Sequence, residues 1–323
     1  MTTNNEIIAQ KIKSTESFII ASHVRPDADA VGSLLGFGLA LKNAGKQVQM
    51  VLEDGVGKYA YLPGSDCIVQ KPEGDVDMII VVDCSDPARV GKVLADYPQP
   101  DLVVDHHKTN LNFGKVNVVE PEQVAAAAIL YDYLPLWGLA IDASVATCLL
   151  SGIIGDTIGF RTPNVNAEVL RKAAALMDLG ASLSDIYRSE LVIKSFEAVH
   201  YWGTGLNKVQ RNNGLVWTNL TLEDRMKSAY PGNDDADLVN VLSSVEGIAI
   251  ALIFIEQSKN MVKVSWRARP GIDVSKIAFE FGGGGHAAAA GADIEGTLEE
   301  VQNRVIMETE KLLEEKNFSY DRN

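Results

Sequence analysis

Short apolar runs alternate with helical patterns along the first half of the chain. The apolar runs are rich in Val, Ile, Leu or Met and predict strands at 17–22, 47–52, 78–83 and 102–105. Patterns with helical spacing lie between or after some of them, at 30–43, 124–137, 143–154 and 167–179. Strands that alternate with helices in this way predict an α/β domain whose parallel sheet carries helices on both faces.

The pattern changes after a polar helical stretch at 184–199. Beyond it, strands are predicted at 205–210, 215–220, 248–256 and 261–267, with helices at 236–245, 274–279 and 298–315. This order favours a mixed sheet. A chain of 323 residues also exceeds the usual size of one domain. We therefore predict a catalytic domain at 1–185, a helical linker at 186–203 and a smaller C-terminal α/β domain at 204–323.

Composition narrows the classes of function. The net charge of −14 favours small anionic substrates over long duplex nucleic acid, which usually binds a broad basic surface. The longest apolar runs, 78–82 and 248–255, are too short to cross a bilayer, so no membrane partner is expected. The N-terminus shows no secretion signal, and the three cysteines have no paired spacing. These features predict reduced thiols and a cytoplasmic protein.

Acidic and histidine side chains follow the predicted strands at the points where the strands end. Asp83 follows five apolar residues, and Asp105, His106 and His107 end another apolar run. The loop after the first strand carries His23, Asp27 and Asp29, and Asp156 comes later, after an apolar helix. Parallel sheets place ligands at the carboxyl ends of their strands. Carboxylates and imidazoles suit divalent ions such as manganese, and paired ions are typical of phosphate-ester hydrolysis.

Each feature also has a structural interpretation when it is considered alone. Asp27 and Asp29 fit an Asp-rich turn with a helix cap. In the functional interpretation of the same motif, Gly32 and Ser33 open a helix whose amino end favours anions. Asp83 fits a helix cap or a partner of Arg89, and Asp156 fits a cap. The two adjacent histidines fit a satisfied polar cluster. These alternatives remain open for the individual residues.

Taken jointly and in order, these motifs resemble the DHH phosphoesterase superfamily. The matching elements are His23-x-x-x-Asp27-x-Asp29 with Gly32-Ser33, then Asp83, then Asp105-His106-His107, then Asp156. In the second half, Ser265-Trp266-Arg267 and the glycine run that ends in His286 resemble the DHH-associated C-terminal domain. The size and layout look most like the bacterial nanoRNase and phosphoadenosine-phosphate phosphatase group. Ala287–Ala290 depart from the family, in which a polar residue often follows the histidine.

The resemblance implies two divalent ions, Mn²⁺ in the first place, with Mg²⁺ or Co²⁺ as alternatives. His23, Asp27 and Asp83 would hold one ion. The other would be held by Asp29, Asp83, His106 and Asp156, so Asp83 would bridge the pair and a water activated by both ions would attack the phosphate. His107 would contact the phosphate or assist the leaving oxygen, and Asp105 would orient the histidines. Asp83, Asp105 and His107 are thus the candidate catalytic residues.

Substrate binding is expected from both halves of the chain. Arg161 and Arg267 can each fork onto phosphate oxygens. Gly283, Gly284 and Gly285 would let backbone amides approach a phosphate or ribose, and His286 would donate to a terminal phosphate. A run of four glycines also fits a flexible linker, although an apolar pattern precedes it and a helix-forming alanine run follows.

We therefore expect a manganese-dependent phosphodiesterase or phosphatase. Its expected substrates are di- to pentanucleotide RNA, linear dinucleotides and phosphoadenosine phosphate (pAp). The first alternative is a soluble phosphodiesterase for cyclic dinucleotides such as cyclic di-AMP. RecJ-type exonuclease and inorganic pyrophosphatase activities are weaker alternatives. A non-catalytic nucleotide-binding sensor and a purely structural Asp and His cluster represent other classes. A homodimer is expected by family analogy.

Overall fold

The computed structural model describes residues 4–315, which form two compact units that divide between Ile193 and Lys194. This division falls inside the stretch 186–203 that the sequence predicts as a linker. Each unit has its own six-stranded sheet, parallel in the first and mixed in the second. The predicted α/β fold class is therefore confirmed.

Within residues 4–315, no helix combines the length and the apolar composition that a membrane span requires.

The sheet of the first unit has the order β3-β2-β1-β4-β5-β6, and all of its strands run parallel. Its strands are β1 (Ser17–Ala21), β2 (Gln47–Val51), β3 (Ile68–Val69), β4 (Met78–Val82), β5 (Leu102–Asp105) and β6 (Val116–Val119). Its helices are α1 (Asn4–Ser14), α2 (Ala28–Asn43), α3 (Ala126–Leu136), α4 (Ala143–Asp156), α5 (Ala167–Asp178) and α6 (Leu183–Tyr187). A π-helix, Arg188–Val192, follows α6.

Both faces of this sheet are covered. Phe18 and Ile20 of β1 point into the larger core, which they share with residues of the α-helices. Ile19 and Ala21 point to the opposite face, where they pack with Val90 and its neighbours. Because successive strand residues face opposite sides, continuous apolar runs are what a doubly covered sheet requires.

The start of α2 differs from the sequence interpretation. Gly32 and Ser33 do not open this helix, which begins at Ala28 and has Asp27 as its N-cap. Gly32 instead faces α4, where a Cβ atom would lie 2.4 Å from the carbonyl oxygen of Cys148. The absence of a side chain therefore allows α2 and α4 to approach each other closely.

The second unit has the sheet order β11-β12-β10-β9-β8-β7, in which only β8 and β9 pair in parallel. Its strands are β7 (Gln210–Asn212), β8 (Leu215–Leu220), β9 (Ile250–Ser258), β10 (Met261–Ala268), β11 (Gly284–His286) and β12 (Ala289–Glu295). Its helices are α7 (Phe196–Leu206), α8 (Leu222–Ser228), α9 (Leu238–Leu242), α10 (Ser275–Glu280) and α11 (Leu298–Glu315).

Two sequence predictions for this unit are wrong. The strand predicted at 205–210 is not formed, because α7 continues to Leu206 and β7 begins only at Gln210. The alanine run after His286 is not helical, since Ala289 begins β12 and pairs with β10 on one side and β11 on the other. Tertiary pairing overrides the helical propensity of alanine here.

Gly32→Ala should destabilise the first unit by about 1–3 kcal/mol or more, because the new methyl group would clash with backbone atoms of α4. Thermal and urea unfolding measure this loss. Gly203→Ala is the matched control, since Gly203 lies in α7 with open space around its missing Cβ. That variant should be neutral or slightly stabilising. Equal stability of the Gly32→Ala and wild-type proteins would contradict the packing argument.

Candidate metal centre

The predicted ligands of the first unit meet at the carboxyl edge of the parallel sheet. His23 lies two residues after β1, Asp83 directly follows β4, and Asp105 ends β5. The start of α2 and the end of α4 add Asp27, Asp29 and Asp156 to the same cluster. Asp83 has φ 49°, in the left-handed region that non-glycine residues seldom adopt. A strained residue that follows a buried strand marks a place where the backbone turns to direct one side chain.

The first group of ligand atoms consists of His23, Asp27 and Asp83. His23 Nε2 lies 3.8 Å from Asp27 Oδ2 and 3.6 Å from Asp83 Oδ2. The other ring nitrogen, Nδ1, lies 2.9 Å from the carbonyl oxygen of Val24. A proton on Nδ1 satisfies this contact and leaves the Nε2 lone pair directed at the carboxylates.

Asp27 serves two purposes at once. Its Oδ1 accepts hydrogen bonds from the amides of Asp29 and Ala30 and so caps α2, as the structural interpretation predicts. Its Oδ2 faces His23 in the ligand cluster. The capping role and the ligand role are therefore compatible, because they use different oxygens.

The second group consists of Asp29, His106 and Asp156. His106 Nε2 lies 3.2 Å from Asp156 Oδ2 and 3.9 Å from Asp29 Oδ2. Asp156 is the last residue of α4, where a carboxylate meets the negative end of the helix dipole. Because Asp156 lies at the carboxyl end of α4, it does not cap the amino end of this helix. A nearby positive charge would stabilise its carboxylate.

Asp83 lies between the two groups. Its Oδ2 is 3.6 Å from His23 Nε2 in the first group, and its Oδ1 is 3.6 Å from His106 Nε2 in the second. Among the described residues, no ion pair joins Asp83 to Arg89, so the interpretation of Asp83 as a partner of Arg89 is not supported. One carboxylate thus presents a different oxygen to each group.

Asp105 supports the histidines. Its Oδ1 accepts a hydrogen bond from the backbone amide of His106 at 2.8 Å and lies 2.7 Å from Nδ1 of His107. Its Oδ2 accepts Asn110 Nδ2 at 2.5 Å. Burial alone would raise the pKa of Asp105, but the bond from His107 and the other donors lower this pKa below its usual value. A charged Asp105 that holds both histidines fits the orienting role that the resemblance implies.

Burial and mutual repulsion shift the pKa values of the clustered side chains. Burial, followed by the charge of Asp156, raises the pKa of Asp29 to about 7. Burial and the charges of Asp29 and Asp27 raise the pKa of Asp83 well above its usual value. Burial lowers the pKa of His106, but the negative charges of Asp156 and Asp29 outweigh it and raise this pKa to about 9. The raised pKa values reflect the repulsion among carboxylates that lie close together in a buried site.

Two atoms show that this donor set fits bound cations. Asp83 Oδ1 and His106 Nε2 are buried and have no hydrogen-bond partner within the described part of the chain. A buried acceptor without a partner costs about 1–3 kcal/mol, so such atoms are rare unless a ligand satisfies them. Carboxylate oxygens and imidazole nitrogens together suit Mn²⁺ and related ions. The residues present therefore fit a pair of divalent cations.

Arg161 follows α4 on an unusual turn. Ile158, Gly159 and Phe160 are three successive residues with positive φ, at 49°, 67° and 65°. The hydroxyl of Thr157 accepts the amide of Phe160 at 2.9 Å, which stabilises this turn. Arg161 is exposed at its end, a few residues beyond Asp156.

The remaining candidates lie in the second unit, where the sheet brings two of them together. Arg267 and His286 are both register partners of Ala289, one on each side of β12. Residues paired directly across strands project to the same face, so Arg267 and His286 share one face. Arg267 Nε also donates to Asn240 Oδ1 at 3.0 Å, and burial lowers the pKa of Arg267 while Asp235 and Asp237 oppose the change.

The glycine segment forms β11 and the turn before it, and its members differ. A Cβ on Gly283 would lie 2.1 Å from the carbonyl oxygen of Gly291, and one on Gly285 would lie 2.5 Å from that of Ala289. Gly283 and Gly285 are therefore required by strand packing. Gly284 has open space beside it, so a ligand could approach its backbone.

Sequence reasoning missed three supporting residues. Ser33 donates to Asp29 Oδ1 at 2.9 Å, Asn110 donates to Asp105, and the carbonyl oxygen of Gln123 lies 3.4 Å from His106 Nδ1. Ser33 is part of the first motif, which is the one sequence feature that could have identified it. Asn110 and Gln123 lie in loops without a periodic pattern, and only the tertiary fold places them.

Two family models match the chain. The model for the DHH family, N-terminal domain, matches residues 17–153, and the model for the DHHA1 domain matches residues 226–315. The bifunctional oligoribonuclease and PAP phosphatase NrnA of Thermus thermophilus is 36% identical over 93% of this chain and 91% of its own length. The Bacillus subtilis protein of the same name is 24% identical over 95% of this chain and 98% of its own length.

A solved structure shares the fold. The exopolyphosphatase-related protein from Bacteroides fragilis superimposes with a TM-score of 0.85 and 24% identity, covering 96% of this chain and 95% of that one. At this identity the likeness concerns the fold alone, and it extends over both units.

The raised pKa values predict how stability depends on pH when cations are removed. The pKa of Asp29 is near its usual 3.8 in the unfolded chain and about 7 in the folded protein. The stability that Asp29 contributes to the folded protein is therefore lost as pH rises through this interval. The pKa of His106 rises from 6.5 to about 9 on folding, so the stability that His106 contributes is lost over that higher interval. Both contributions have the same sign, whereas His23, whose pKa is lowered by burial, acts in the opposite sense below about pH 6.5. The melting temperature in chelator should therefore fall most steeply between about pH 6.5 and pH 9.

Asp156→Asn tests this prediction, because it removes one of the repelling carboxylates. In chelator its melting temperature should fall less than that of the wild type over the same pH range. Asp178→Asn is the matched control, since Asp178 is exposed on α5 outside the cluster. Parallel curves for the wild type and Asp156→Asn would show that the cluster does not set the pH dependence.

Proposed function

Because the chain belongs to the DHH family of phosphoesterases and carries a DHHA1 domain, we propose that it hydrolyses short oligoribonucleotides, linear dinucleotides and pAp with divalent metal ions. The observation that carries this proposal is Asp83, whose two oxygens face two separate groups of metal-ligating atoms. The names of the Thermus thermophilus and Bacillus subtilis relatives support the oligoribonucleotide and pAp parts of this substrate class.

His23, Asp27 and Asp83 would hold one cation. Asp29, Asp83, His106 and Asp156 would hold the second. A pair of divalent cations, when bound, supplies a nucleophilic water of lowered pKa and stabilises negative charge on the phosphoryl oxygens. We propose Mn²⁺ as the ion, because imidazole and carboxylate donors are mixed, with Mg²⁺ and Co²⁺ as alternatives.

His107 is suited to the leaving oxygen. Asp105 accepts a hydrogen bond from its Nδ1 at 2.7 Å, which orients the ring. The Nε2 atom of a protonated imidazole is a donor, and it can transfer its proton to the oxygen that departs from phosphorus. Asp105 therefore positions His107 and His106 together through a single carboxylate oxygen.

Substrate binding is proposed for Arg161, Arg267, the backbone of Gly283–Gly285, and His286. The shared sheet face of Arg267 and His286 supports the assignment, because a phosphate that accepts from one lies on the same side as the other. The net charge of −14 disfavours long polyanionic strands. Short nucleotides need only local positive groups and are less affected by the whole-chain charge.

A substrate panel tests the proposal. The purified protein with Mn²⁺ should hydrolyse dinucleotide RNA and pAp and should leave long duplex RNA intact. Cyclic di-AMP belongs in the same panel, and its preferred hydrolysis would favour the alternative of a cyclic-dinucleotide phosphodiesterase. Binding of these nucleotides without any turnover would favour a non-catalytic sensor and would contradict the proposal.

Asp83→Ala and Asp156→Ala should each lower kcat on dinucleotide RNA by about a thousandfold or more. Loss of charge stabilisation worth several kcal/mol gives a factor of this size, at about 1.4 kcal/mol per tenfold change. Circular dichroism should show an intact fold in both variants. Asp178→Ala serves as a surface control and should retain full activity. Wild-type turnover by either cluster variant would refute the metal assignment.

Arg267→Ala should raise KM by about 10- to 100-fold, the effect of losing a charged hydrogen bond worth about 1.5–3 kcal/mol. Its Mn²⁺ content should stay unchanged, because Arg267 lies in the second unit and every proposed ligand lies in the first. Arg269→Ala is the matched control, since Arg269 is exposed two residues further along. A loss of Mn²⁺ from Arg267→Ala would mean that its role is misassigned.

A further inference from the structure

One buried cation of the first unit has no part in the mechanism above. Lys172 on α5 is only 4% exposed, and a buried ammonium group is costly unless acceptors surround it. Its Nζ donates to Asp132 Oδ2, to Gln123 Oε1 at 3.1 Å and to the carbonyl oxygen of Ala128 at 3.3 Å. Three acceptors match the three N–H groups of an ammonium ion.

These acceptors belong to one short stretch of chain. Gln123 precedes α3, Ala128 lies in its first turn, and Asp132 lies one turn further along. Lys172 therefore ties the loop before α3 to the helix itself. Such a contact fixes the loop, which otherwise lacks regular secondary structure.

The same stretch contacts two of the proposed ligands of the second cation. The carbonyl oxygen of Gln123 lies 3.4 Å from His106 Nδ1, and the amides of Ala126 and Ala127 donate to Asp29 at 2.5 and 2.9 Å. His106 presents Nε2 to the cluster only if Nδ1 carries a proton. The acceptor that keeps the proton there is the carbonyl oxygen of Gln123.

Both polar atoms of the terminal amide of Gln123 form hydrogen bonds. Oε1 accepts from Lys172, while Nε2 donates to Glu120 Oε2 at 3.4 Å. The backbone amide of Gln123 also donates to the carbonyl oxygen of Glu120 at 3.0 Å. The hydroxyl of Tyr133 on α3 donates to Glu120 Oε1 in turn. This network leaves the carbonyl oxygen of Gln123 directed at His106.

We propose that Lys172 is a positioning residue, which acts through Gln123 to hold His106 in the form that binds the second cation. Lys172 touches neither the ligand cluster nor any reacting atom. The inference rests on the proposed two-cation site, but it does not depend on which nucleotide is hydrolysed. It predicts that loss of the contact between Lys172 and Gln123 lowers the affinity for the second cation. The affinity for the first cation, held by His23, Asp27 and Asp83, should be unaffected.

Lys172→Met removes the donor and keeps most of the side-chain volume. Mn²⁺ titration of the intact protein, followed by electron paramagnetic resonance, resolves two binding affinities. One of the two affinities should fall by about 10- to 100-fold, as losses of supporting contacts to metal ligands typically do. The other affinity should stay within about threefold of the wild type.

Two further variants separate positioning from fold stability. Gln123→Ala breaks the contact with Lys172 but keeps the ion pair between Lys172 and Asp132, and it should repeat the selective loss of one Mn²⁺ affinity. Asp132→Asn removes the ion pair and retains the bonds of Lys172 to Gln123 and Ala128. It should keep both affinities, even if its melting temperature falls as far as that of Lys172→Met.

Nitrogen-15 spectra of the histidine rings provide a readout that fold stability alone does not move. With diamagnetic Cd²⁺ bound, His106 of the wild type should carry its proton on Nδ1, and this signal should broaden or shift in Lys172→Met and Gln123→Ala. Wild-type Mn²⁺ affinities and an unchanged His106 signal in both variants would overturn this inference alone. Absence of Mn²⁺ binding by the wild type would overturn it together with the proposed function.

Discussion

Repulsion among buried carboxylates is the constraint on which the first unit depends. Asp29, Asp83 and Asp156 all lie within 4 Å of the same imidazole nitrogen, and Asp29 and Asp83 are almost fully buried. Water cannot screen these charges, so they coexist only beside positive charge. Either bound protons or divalent ions can meet this need. Stability, metal binding and pH response are therefore parts of a single electrostatic problem.

The backbone supplies the rigidity that such an arrangement demands. Parallel strands bring Asp83 and Asp105 to one edge, and the close approach of α2 and α4 at Gly32 brings Asp29 near Asp156. Several of the clustered side chains are also held by a second contact, such as Asp27 by the amides at the start of α2 or His23 by the carbonyl oxygen of Val24. Groups that repel one another would otherwise separate.

Much of this arrangement could be predicted from sequence, because it follows from strand ends. A carboxylate directly after a buried strand, like Asp83, has few stable environments, and the sheet brings such residues together. The supports could not be predicted, since Asn110 and Gln123 reach the histidines only through loop geometry. The alanine run after His286 was misjudged for a related reason. Its local propensity favours a helix, but Ala289 fills a position between two strands.

The second unit poses the opposite electrostatic problem. Arg267 is a partly buried cation, and the nearby carboxylates of Asp235 and Asp237 keep it charged against the effect of burial. Its Nε is already bonded to Asn240, which fixes the guanidinium plane and leaves fewer orientations to lose when an anion binds. Under the proposed function, Arg267 would offer an anionic nucleotide a preorganised cation within an acidic chain. The neighbouring carboxylates would repel any phosphate that is not aligned with the guanidinium group, so the same charges that stabilise Arg267 also favour selectivity.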